Sequence, residues 1–493
     1  MNSAVIVVGA GPVGLMLACE LRLQGVTVEV IERLDAPVTH SKAFGLNART
    51  MECLALRGLL EPMRERARHA RVEQFGGAPA PSSQLTLAHF AGVRTVRIDD
   101  VDAAFGGMLG IQQSDVEAVL TERAVESGVR ITRGVDLVDI EQDAAEVRIR
   151  TRTDGDRHLT MTADVVVGCD GGRSAVRTLT GFPTTSTPPT MTGRLAVARV
   201  PDLLMDPGAG WHRTGTGVIQ VLPGRVIVAE FTGAPENRHA VVTADEVREA
   251  AERVVGRRVA WPTETGWCTG FTDHTLIADD YRHGRVLLAG DAAHVHSPFG
   301  GQGLNLGVQD AVNLGWKLAA WLHDPTAETL LDGYTTERRA VAARVLHNTR
   351  AQVALMNPDN RVTPLRELFT EMMDIRDVNQ RLAAVLSSTD VRIPGSDPAS
   401  WVGGFMPNIP ITTADGTGGC ALDFFDDGRW VLFDLGDDGE PHPTARHVVS
   451  GTPRPGYTGP ARILVRPDGY VAWTSSADER GPDEPANDRC HIQ

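Results

Sequence analysis

Residues 4–33, AVIVVGAGPVGLMLACELRLQGVTVEVIER, carry the pattern that decides the fold. Four consecutive apolar residues, 5–8, are typical of a strand in a parallel sheet that is covered on both faces. A glycine-rich turn follows, then a helix with an apolar stripe that Gly25 ends, and then a second apolar strand that finishes at Glu32. The stretch therefore predicts one strand–helix–strand unit of about 30 residues.

The turn of this unit, Gly9-Ala10-Gly11-Pro12-Val13-Gly14, has the spacing of a dinucleotide-binding turn. The first glycine permits the tight bend, the second lets a pyrophosphate approach the backbone, and the third lets helix and strand pack closely. The helix start offers free N–H groups to the phosphates. Glu32 is placed to accept hydrogen bonds from both adenosine ribose hydroxyls, and it disfavours a 2′-phosphate. The site is therefore predicted to hold FAD or NAD rather than NADP.

Two later segments repeat the combination of a buried strand and a glycine-rich turn. The first, ADVVVGCDGGRS, ends around Asp170, and its Ser174 is placed to cap the next helix. The second is GDAAH at 290–294, followed by PFGGQGLN at 298–305. Asp291 is placed to bond a ribityl hydroxyl, and the helix that this loop opens would stabilise an anion such as a reduced flavin. Taken alone, each segment also fits an ordinary turn.

Composition places the chain among ordinary globular proteins. It has 493 residues, of which 42% are hydrophobic and 23% charged, and this excludes the disordered, collagen-like and coiled-coil classes. The net charge of −15 gives no electrostatic reason to bind nucleic acid or an anionic membrane. No apolar run reaches the roughly 18 residues of a membrane helix, so the protein is expected in the cytoplasm.

The cysteines are expected to be reduced, because they lie far apart in the sequence and mostly in apolar stretches. None of them form a C-x-x-C pair, so neither a zinc ribbon nor a dithiol redox motif is predicted. The six are Cys19, Cys53, Cys169, Cys268, Cys420 and Cys490.

Further along the chain, apolar periodicity predicts helices over 115–127, 305–322 and about 326–356. Residues 217–232, GVIQVLPGRVIVAEFT, predict two strands joined at Pro223-Gly224. This part lacks the rhythm of a parallel sheet, which indicates a different domain.

The three glycine-rich motifs, in this order and at this spacing, resemble the FAD-dependent aromatic hydroxylases of the para-hydroxybenzoate hydroxylase class. Within that class the chain is similar to the bacterial aromatic polyketide hydroxylases and rifampicin monooxygenases. The resemblance covers roughly residues 1–390. It extends more weakly to the end, where LVRPDGYVAW is similar to the terminal thioredoxin-like domain of that subgroup.

The resemblance implies an α/β protein with a Rossmann-like FAD-binding domain, an inserted β-rich substrate domain and a C-terminal thioredoxin-like domain. The expected boundaries are 1–180 for the first part of the FAD-binding domain, 181–278 for the substrate domain, 279–394 for the second part of the FAD-binding domain, with its long helices, and 395–493 for the terminal domain. The first part is expected to include some of the substrate sheet near 72–110. The terminal domain lacks C-x-x-C, so we expect it to serve packing or oligomerisation rather than dithiol exchange.

The resemblance also implies residues that bind the cofactor. The pyrophosphate and adenosine end is assigned to Gly9, Gly11, Val13, Gly14, Glu32 and Arg33. The ribityl chain and isoalloxazine are assigned to Asp291, Gly303, Leu304 and Asn305, and Gln113 is assigned to either the flavin phosphates or the ribityl chain. Lys42 lies where close relatives often carry a flavin-contacting arginine, and Phe44 lies where some relatives have arginine. Asp170 belongs to a motif that this class links to both FAD and NAD(P)H.

The implied activity is FAD- and NAD(P)H-dependent insertion of one oxygen atom from O₂ into a polycyclic aromatic, polyketide-like substrate through a flavin C4a-hydroperoxide. Because the cofactor performs the difficult step, no catalytic side chain and no metal are predicted. We interpret His294 and His296 as structural, and Arg213 and Gln220 as exposed strand positions rather than substrate contacts.

Aromatic hydroxylation is the leading outcome. Baeyer–Villiger oxidation and antibiotic inactivation use the same chemistry and stay open. An alternative of another class is a flavin-containing protein that sequesters a drug without turnover. NADPH or NADH is expected to bind transiently, since no second G-x-G-x-x-G occurs, and a homodimer is a candidate assembly.

Overall fold

The computed structural model describes residues 3–41, 43–74, 84–153, 155–203, 211–222, 224–237, 240–414, 416–435, 442–455 and 457–475. Lys42 and Cys490 lie outside the described residues. Within the described ranges, no helix combines the length and apolar character needed to cross a membrane.

The helices of these ranges are α1 (Pro12–Leu23), α2 (Ala48–Ala55), α3 (Leu60–Gln74), α4 (Gln113–Glu126), α5 (Ala175–Thr180), α6 (Ala244–Val255), α7 (Gly303–His323), α8 (Glu328–Met356), α9 (Val362–Met373) and α10 (Arg376–Ser387). Short 3-10 helices lie at Pro201–Leu203, Gly290–Ala292, Pro325–Ala327 and Ala421–Phe424.

The strands up to residue 187 are β1 (Ser3–Val8), β2 (Val28–Glu32), β3 (Leu46–Asn47), β4 (Gln84–Leu85), β5 (Leu87–Phe90), β6 (Val93–Arg97), β7 (Met108–Leu109), β8 (Arg130–Arg133), β9 (Val135–Gln142), β10 (Val147–Thr153), β11 (His158–Gly168) and β12 (Thr184–Thr187). The strands that follow, up to residue 295, are β13 (Thr192–Ala196), β14 (Trp211–Arg213), β15 (Gly217–Leu222), β16 (Arg225–Glu230), β17 (Cys268–Thr272), β18 (Thr275–Ala278), β19 (Arg282–His283), β20 (Val286–Leu288) and β21 (His294–Val295). The last strands are β22 (Pro410–Thr413), β23 (Gly418–Cys420), β24 (Val431–Asp434), β25 (His447–Pro453), β26 (Arg462–Val465) and β27 (Val471–Thr474).

The main sheet has eight strands and contains the strand–helix–strand unit that the first 33 residues predict. Its order is β19-β20-β11-β1-β2-β8, and β10 and β9 continue from β11. β20, β11, β1, β2 and β8 are parallel neighbours. Val5, Val7 and Val30 are completely buried, as expected for a parallel sheet that is covered on both faces.

A second, five-stranded antiparallel sheet has the order β14-β15-β16-β13-β17. It contains the predicted hairpin, in which Gly217–Leu222 pairs with Arg225–Glu230. α6 packs on one face of this sheet and closes a small separate core. The other face points toward the main sheet, and its residues Val218 and Ala229 belong to the main core.

α1 and α7 approach each other closely because glycines replace side chains at their contact. A Cβ on Gly307 would lie 2.5 Å from Val13 Cγ2, and a Cβ on Gly290 would lie 2.9 Å from the same atom. About two turns of α7 further on, a Cβ on Gly315 would overlap the side chain of Glu20. The helices can therefore pack backbone to side chain, with Val13 filling the notch between two glycines.

The C-terminal sheet has six strands in the order β23-β22-β25-β24-β26-β27, of which β24 and β25 run parallel. Cys420, on β23, is disulfide-bonded, so the expectation that every cysteine is reduced is wrong at this position. Separation along the sequence does not report which cysteines meet in space, and this is why the pattern failed. Free thiols are found at Cys19, Cys53, Cys169 and Cys268.

Buried charges tie this sheet to the helices of the main body. Arg466, just after β26, pairs with Glu337 of α8 at 2.8 Å, and Lys317 of α7 pairs with the same carboxylate at 2.8 Å. Asn313 of α7 donates to both Glu337 and Asp468. Removing one member would leave the others buried without a partner, which is costly in a low-dielectric interior.

A second buried ion pair strengthens the same junction. Arg57 pairs with Glu20 of α1 at 2.7 Å, and both side chains are almost completely buried. The guanidinium also donates to the carbonyl oxygens of Phe425 and Pro467, each at 2.8 Å. The C-terminal sheet is thus joined to α1, α7 and α8 by directional polar contacts.

We predict that Glu337→Gln lowers stability in a pH-dependent way. Burial raises the pKa of Glu337, but the bonds from Arg466 and Lys317 outweigh this and hold the pKa at about 2, below the ordinary value of 4.5 for a glutamate. A depressed carboxylate pKa contributes stability above about pH 4.5 that is lost as the pH falls toward 2. The variant should lose roughly 3–5 kcal/mol of unfolding free energy at pH 7, and its difference from the wild type should shrink between pH 4.5 and 2.

The measurement is urea unfolding of both proteins across this pH range. Glu328→Gln on the same helix is the matched control, because Glu328 is exposed and pairs with Arg282 at the surface. It should change stability little at any pH. A Glu337→Gln difference that does not vary with pH would contradict the assignment.

Candidate functional site

The three glycine-rich motifs meet at one edge of the main sheet. β2, β1, β11 and β20 are adjacent and parallel, and each ends at a motif residue or within two residues of one. Backbone hydrogen bonds hold the strand ends level: Gly9 N–H donates to Ile31 at 2.8 Å, and Cys169 N–H donates to Val8 at 2.8 Å. Ligands of open α/β sheets bind at this edge.

The first glycine turn has the shape of a phosphate cradle. Gly9 has a φ of +109°, and a Cβ there would lie 2.5 Å from the Cys169 carbonyl oxygen, while a Cβ on Gly14 would overlap the carbonyl oxygen of Gly9. At Gly11, no heavy atom lies within 4 Å of the missing Cβ. α1 begins here without a side-chain cap, so its first N–H groups are free to bind a pyrophosphate.

Glu32 lies at the mouth of this turn. Its Oε2 accepts from the Ala10 N–H at 2.9 Å, and its Oε1 accepts from the Leu34 N–H at 2.9 Å. The carboxylate is therefore held in one orientation next to Gly11, and each oxygen keeps a lone pair for a ribose hydroxyl. Arg33 is exposed beside it.

Asp170 stabilises the start of α5 by accepting hydrogen bonds from its first N–H groups. Its Oδ2 accepts from the N–H groups of Ala175 at 2.6 Å and Val176 at 3.1 Å. Ser174 is the N-cap of α5 and accepts from Arg177 N–H at 2.9 Å, as the sequence predicts. Burial raises the pKa of Asp170, against the bonds that it accepts. Its Oδ1 is buried and has no hydrogen-bond partner in the described part of the chain.

The start of α7 offers a second set of free N–H groups. Gln302 is the N-cap, but its side chain makes no capping bond and instead accepts from Asn348 at 2.7 Å. Gly303 and Leu304, the first helical residues, therefore keep uncapped N–H groups. Asp291 is exposed, and its Oδ1 lies 3.8 Å from the position of a Cβ on Gly303. A carboxylate acceptor and a positive helix end thus lie side by side.

His296 completes this part of the site, although the sequence led us to interpret it as structural. Its Nδ1 lies 2.7 Å from the Ser297 carbonyl oxygen, which fixes the proton on Nδ1 and leaves Nε2 as an acceptor. Nε2 is buried, has no partner among the described residues, and lies 3.3 Å from the position of a Cβ on Gly303. Burial lowers the pKa of His296, against the charge of Asp291, which keeps the ring neutral. An orphaned acceptor beside Asp291 fits a ligand hydroxyl.

His294, by contrast, is a structural residue. It is fully buried, and its Nε2 lies 2.6 Å from Asp310 Oδ2. The other oxygen of Asp310 accepts from Arg338 at 2.7 Å. Burial alone would raise the pKa of Asp310, but these two partners hold it below its usual range. The same carboxylate accepts from Gly290 N–H at 3.1 Å, which fixes the turn before Asp291.

Asn305 fastens the start of α7 to the segment before α2. Its Nδ2 donates to the carbonyl oxygens of Gly45 at 3.1 Å and Gly301 at 3.0 Å, and its Oδ1 accepts from Asn47 N–H at 2.8 Å. Both amide hydrogens are therefore occupied. The side chain orders the loop, and any contact with a ligand must come through the remaining oxygen lone pair or the backbone.

Gln113 begins α4 on the same side of the sheet. Its N–H donates to the Ala43 carbonyl at 3.0 Å, and its side chain donates to Glu117 at 2.8 Å. This backbone bond brings the start of α4 next to Ala43, whereas Lys42 lies outside the described ranges. The roles of Gln113 and Lys42 toward the flavin stay predictions.

The five-stranded sheet presents a half-buried face to this edge. Side chains that face α6 are buried in the small core, and they include Ala196, Ile219, Val221, Val226 and Val228. Alternate residues point the other way and are only partly buried, and they include Trp211, Gln220, Leu222, Arg225, Ile227 and Phe271. Because alternate side chains in a strand point to opposite faces, the two faces of this sheet differ in burial. The sequence alone does not show which face is the more buried, since the side chains on both faces of the β15–β16 hairpin are largely apolar.

Arg213 and Gln220 differ from their sequence interpretation. Arg213 is partly buried and donates to the carbonyl oxygens of Asn357 at 2.9 Å and Asp359 at 3.1 Å, so it is neither exposed nor free to bind a ligand. It ties β14 to the start of α9. Gln220 is half-buried on the face that points to the main sheet. The alternation of residues along the strand assigns Gln220 to this face only once it is known that α6 covers the opposite face.

Arg225 brings a positive charge to the same face. Its guanidinium lies 3.4 Å from the centre of the Phe44 ring and donates to Gln112 at 3.3 Å. Burial lowers its pKa to about 10, which leaves it charged at neutral pH. The Phe44 ring therefore lies against a positive charge that strand β16 supplies.

Two protein families match this chain. The family described as "FAD binding domain" matches residues 2–349, and the one described as "Aromatic-ring hydroxylase, C-terminal" matches residues 399–489. The chain is 39% identical to the 12-dehydrotetracycline 5-monooxygenase/anhydrotetracycline 6-monooxygenase of Streptomyces rimosus, over 98% of this chain and 97% of that protein. It is 38% identical to a rifampicin monooxygenase of Rhodococcus hoagii, over 96% of each chain.

A solved structure gives the same result for the fold. The anhydrotetracycline hydroxylase OxyS from Streptomyces rimosus superposes with a TM-score of 0.86 at 37% identity, covering 98% of this chain and 97% of that one. The resemblance inferred from the motifs is confirmed, and the chain belongs to the FAD-dependent monooxygenases of the aromatic-ring hydroxylase family.

Proposed function

We propose that this monooxygenase hydroxylates a polycyclic aromatic, polyketide-like substrate that lies between the five-stranded sheet and the flavin. The observation that carries the proposal is the half-buried apolar face of that sheet, which meets the loop that opens α7. Phe299 of this loop contacts Trp211 of β14 edge-on, with ring centres 4.8 Å apart. An aromatic surface next to the cofactor loop suits a flat, apolar ligand.

The free N–H groups and the acceptors of the sheet edge fit FAD. The pyrophosphate would lie over Gly11 and the start of α1, and Glu32 would bind the adenosine ribose. Asp291 and the orphaned nitrogen of His296 would accept from ribityl hydroxyls. The start of α7 would face the pyrimidine edge, where its positive potential favours an anion. When bound, the flavin accepts hydride from NAD(P)H and activates O₂.

The protein's own part of the reaction is positioning and exclusion of water. The half-buried sheet face, whose Trp211 and Phe271 pack against the buried ring of Phe299, would hold the substrate ring against the cofactor and displace solvent. Among the described residues of this face, none is a carboxylate or histidine placed to act as a base. A phenol activates its own ring, so a base is not required.

We also propose that the three parts of the chain have separate roles. Residues 1–180 and 279–394 would bind FAD, 181–278 would bind the substrate, and the C-terminal region from 395, thioredoxin-like without C-x-x-C, would brace the FAD-binding part. The buried pairs of Arg466 with Glu337 and Arg57 with Glu20 support the last point. We place the enzyme in the cytoplasm, where NAD(P)H is supplied.

Turnover under air tests this function. The purified FAD-loaded enzyme should oxidise NADPH or NADH faster when a polycyclic phenol is present, and ¹⁸O₂ should place one labelled oxygen atom in the product by mass spectrometry. A product that retains its carbon skeleton indicates hydroxylation, and an oxygen inserted between two carbons indicates Baeyer–Villiger oxidation. Binding of polycyclic phenols without any stimulated oxidation of NADPH or NADH would indicate a sequestering protein and contradict the proposal.

Glu32→Gln should weaken the binding of FAD but not of FMN, because FMN has no adenosine ribose. A bond to a charged acceptor is worth about 1.5–3 kcal/mol, so the dissociation constant for FAD should rise about tenfold to a hundredfold. The measurement is fluorescence titration of the apoprotein with each flavin. Glu141→Gln, an exposed carboxylate of the same sheet, is the control and should change neither. Equal losses of FAD and FMN would indicate a collapsed turn rather than a lost ribose contact.

A further inference from the structure

We propose that the absence of a side chain at Gly193 sets the height of the substrate slot, by which we mean the space above the half-buried face of the five-stranded sheet. Without a side chain at 193, the Phe271 ring can lie against the backbone of β13 and leave room for a planar ligand of several fused rings. This inference rests on the proposed function and specifies its substrate class. It concerns two residues of neighbouring strands that the motifs do not include.

Gly193 and Phe271 lie directly opposite each other on β13 and β17. A Cβ on Gly193 would overlap three atoms of the Phe271 ring, so the ring covers the position that any other residue would fill. No strained backbone explains this glycine, since it is a regular strand residue that pairs on its other side with Ala229. The requirement at this position is therefore space for the ring.

Beyond Gly193, the row that contains these residues has small, fully buried side chains as far as Val218, and it ends at the partly buried Arg213 of β14. Across the sheet it continues from Gly193 to Ala229 and Val218, each of which is 0% exposed. Phe271 is the large side chain at the other end of the row and is only partly buried. One side of the ring is against the sheet, and the remainder is available to a ligand.

Phe299 fixes the position of this ring relative to the cofactor loop. Its ring centre lies 6.5 Å from that of Phe271 and 4.8 Å from that of Trp211, and both contacts are edge-on. Phe299 itself is 1% exposed. The two half-buried rings are thus held apart by a buried third ring, and they cannot move closer together.

The next row along the strands forms the floor of the slot. It contains Ile227, Gln220 and Trp211, which pair across β16, β15 and β14 and are all half-buried. From Ala229 to Arg225, four residue steps along β16, this face of the sheet extends about 14 Å at the rise of an extended strand. This length suits a ligand of several fused rings, and the height above the floor depends on how far Phe271 projects.

A methyl group at position 193 would push the Phe271 ring into the slot. Overpacking of this kind is unfavourable unless the neighbouring side chain moves. A thin, small ligand can avoid the displaced ring, but a long fused system that needs the whole floor cannot. Gly193→Ala should therefore discriminate against ligands by their ring number.

The test measures dissociation constants of the FAD-loaded enzyme for 2-naphthol, alizarin and anhydrotetracycline, which have two, three and four fused rings. Binding is followed by the change in flavin absorbance. Gly193→Ala should weaken anhydrotetracycline binding about tenfold or more and leave 2-naphthol within about threefold. The double variant Gly193→Ala/Phe271→Leu should recover much of the loss, because the shorter side chain makes room for the methyl group.

Gly215→Ala is the matched control, since no heavy atom lies within 4 Å of its missing Cβ, and it should alter none of the three constants. Melting temperatures and FAD content of every variant show that the fold is retained. Equal losses for all three ligands, an unchanged constant for anhydrotetracycline, or no recovery in the double variant would overturn the inference alone. If the wild type binds none of the three and they do not stimulate NADPH oxidation, the proposed function fails and the inference falls with it.

Discussion

The close approach of α1 and α7 is the constraint on which the rest of the structure depends. Val13 fills a notch that exists only because Gly290 and Gly307 have no side chains. The N-termini of both helices therefore lie at the same edge of the main sheet, with the turn before Asp291 between them. Two positive helix ends can then act on one extended, anionic cofactor, which neither could bind along its whole length.

Buried polar contacts hold this arrangement from both sides. Asn305 and the carboxylate of Asp310 fix the loops around the start of α7. At the far end of the helices, Glu20, Lys317 and Glu337 are paired with residues outside their own helices. Such pairs add little net stability compared with apolar packing, but removing one partner is costly, so they specify one relative orientation of the helices. The C-terminal sheet thereby supports the cofactor edge without contributing one of the motifs that form it.

The first strand–helix–strand unit, the helices α7 and α8, and the three motifs could all be predicted from the sequence, because each depends on local periodicity and on glycines at fixed spacing. Which strands become neighbours could not, since the adjacency of β1, β11 and β20 depends on contacts between residues more than 100 positions apart. The same limit explains the errors. Arg213 is held by carbonyl oxygens of a distant loop, and Cys420 is disulfide-bonded. The sequence does not indicate His296 as a ligand-binding residue, because only the folded site shows that its Nε2 lacks a partner among the described residues.

The most direct test of the central claim is the FAD affinity of Gly307→Ala, compared with Gly333→Ala. Both replace a glycine within a helix, but a Cβ at 307 would lie 2.5 Å from Val13, whereas at 333 the nearest atoms are 3.6 Å away. If the notch positions the two helix starts, Gly307→Ala raises the FAD dissociation constant about tenfold or more, and Gly333→Ala leaves it unchanged. A folded Gly307→Ala protein that binds FAD as tightly as the wild type would contradict the account.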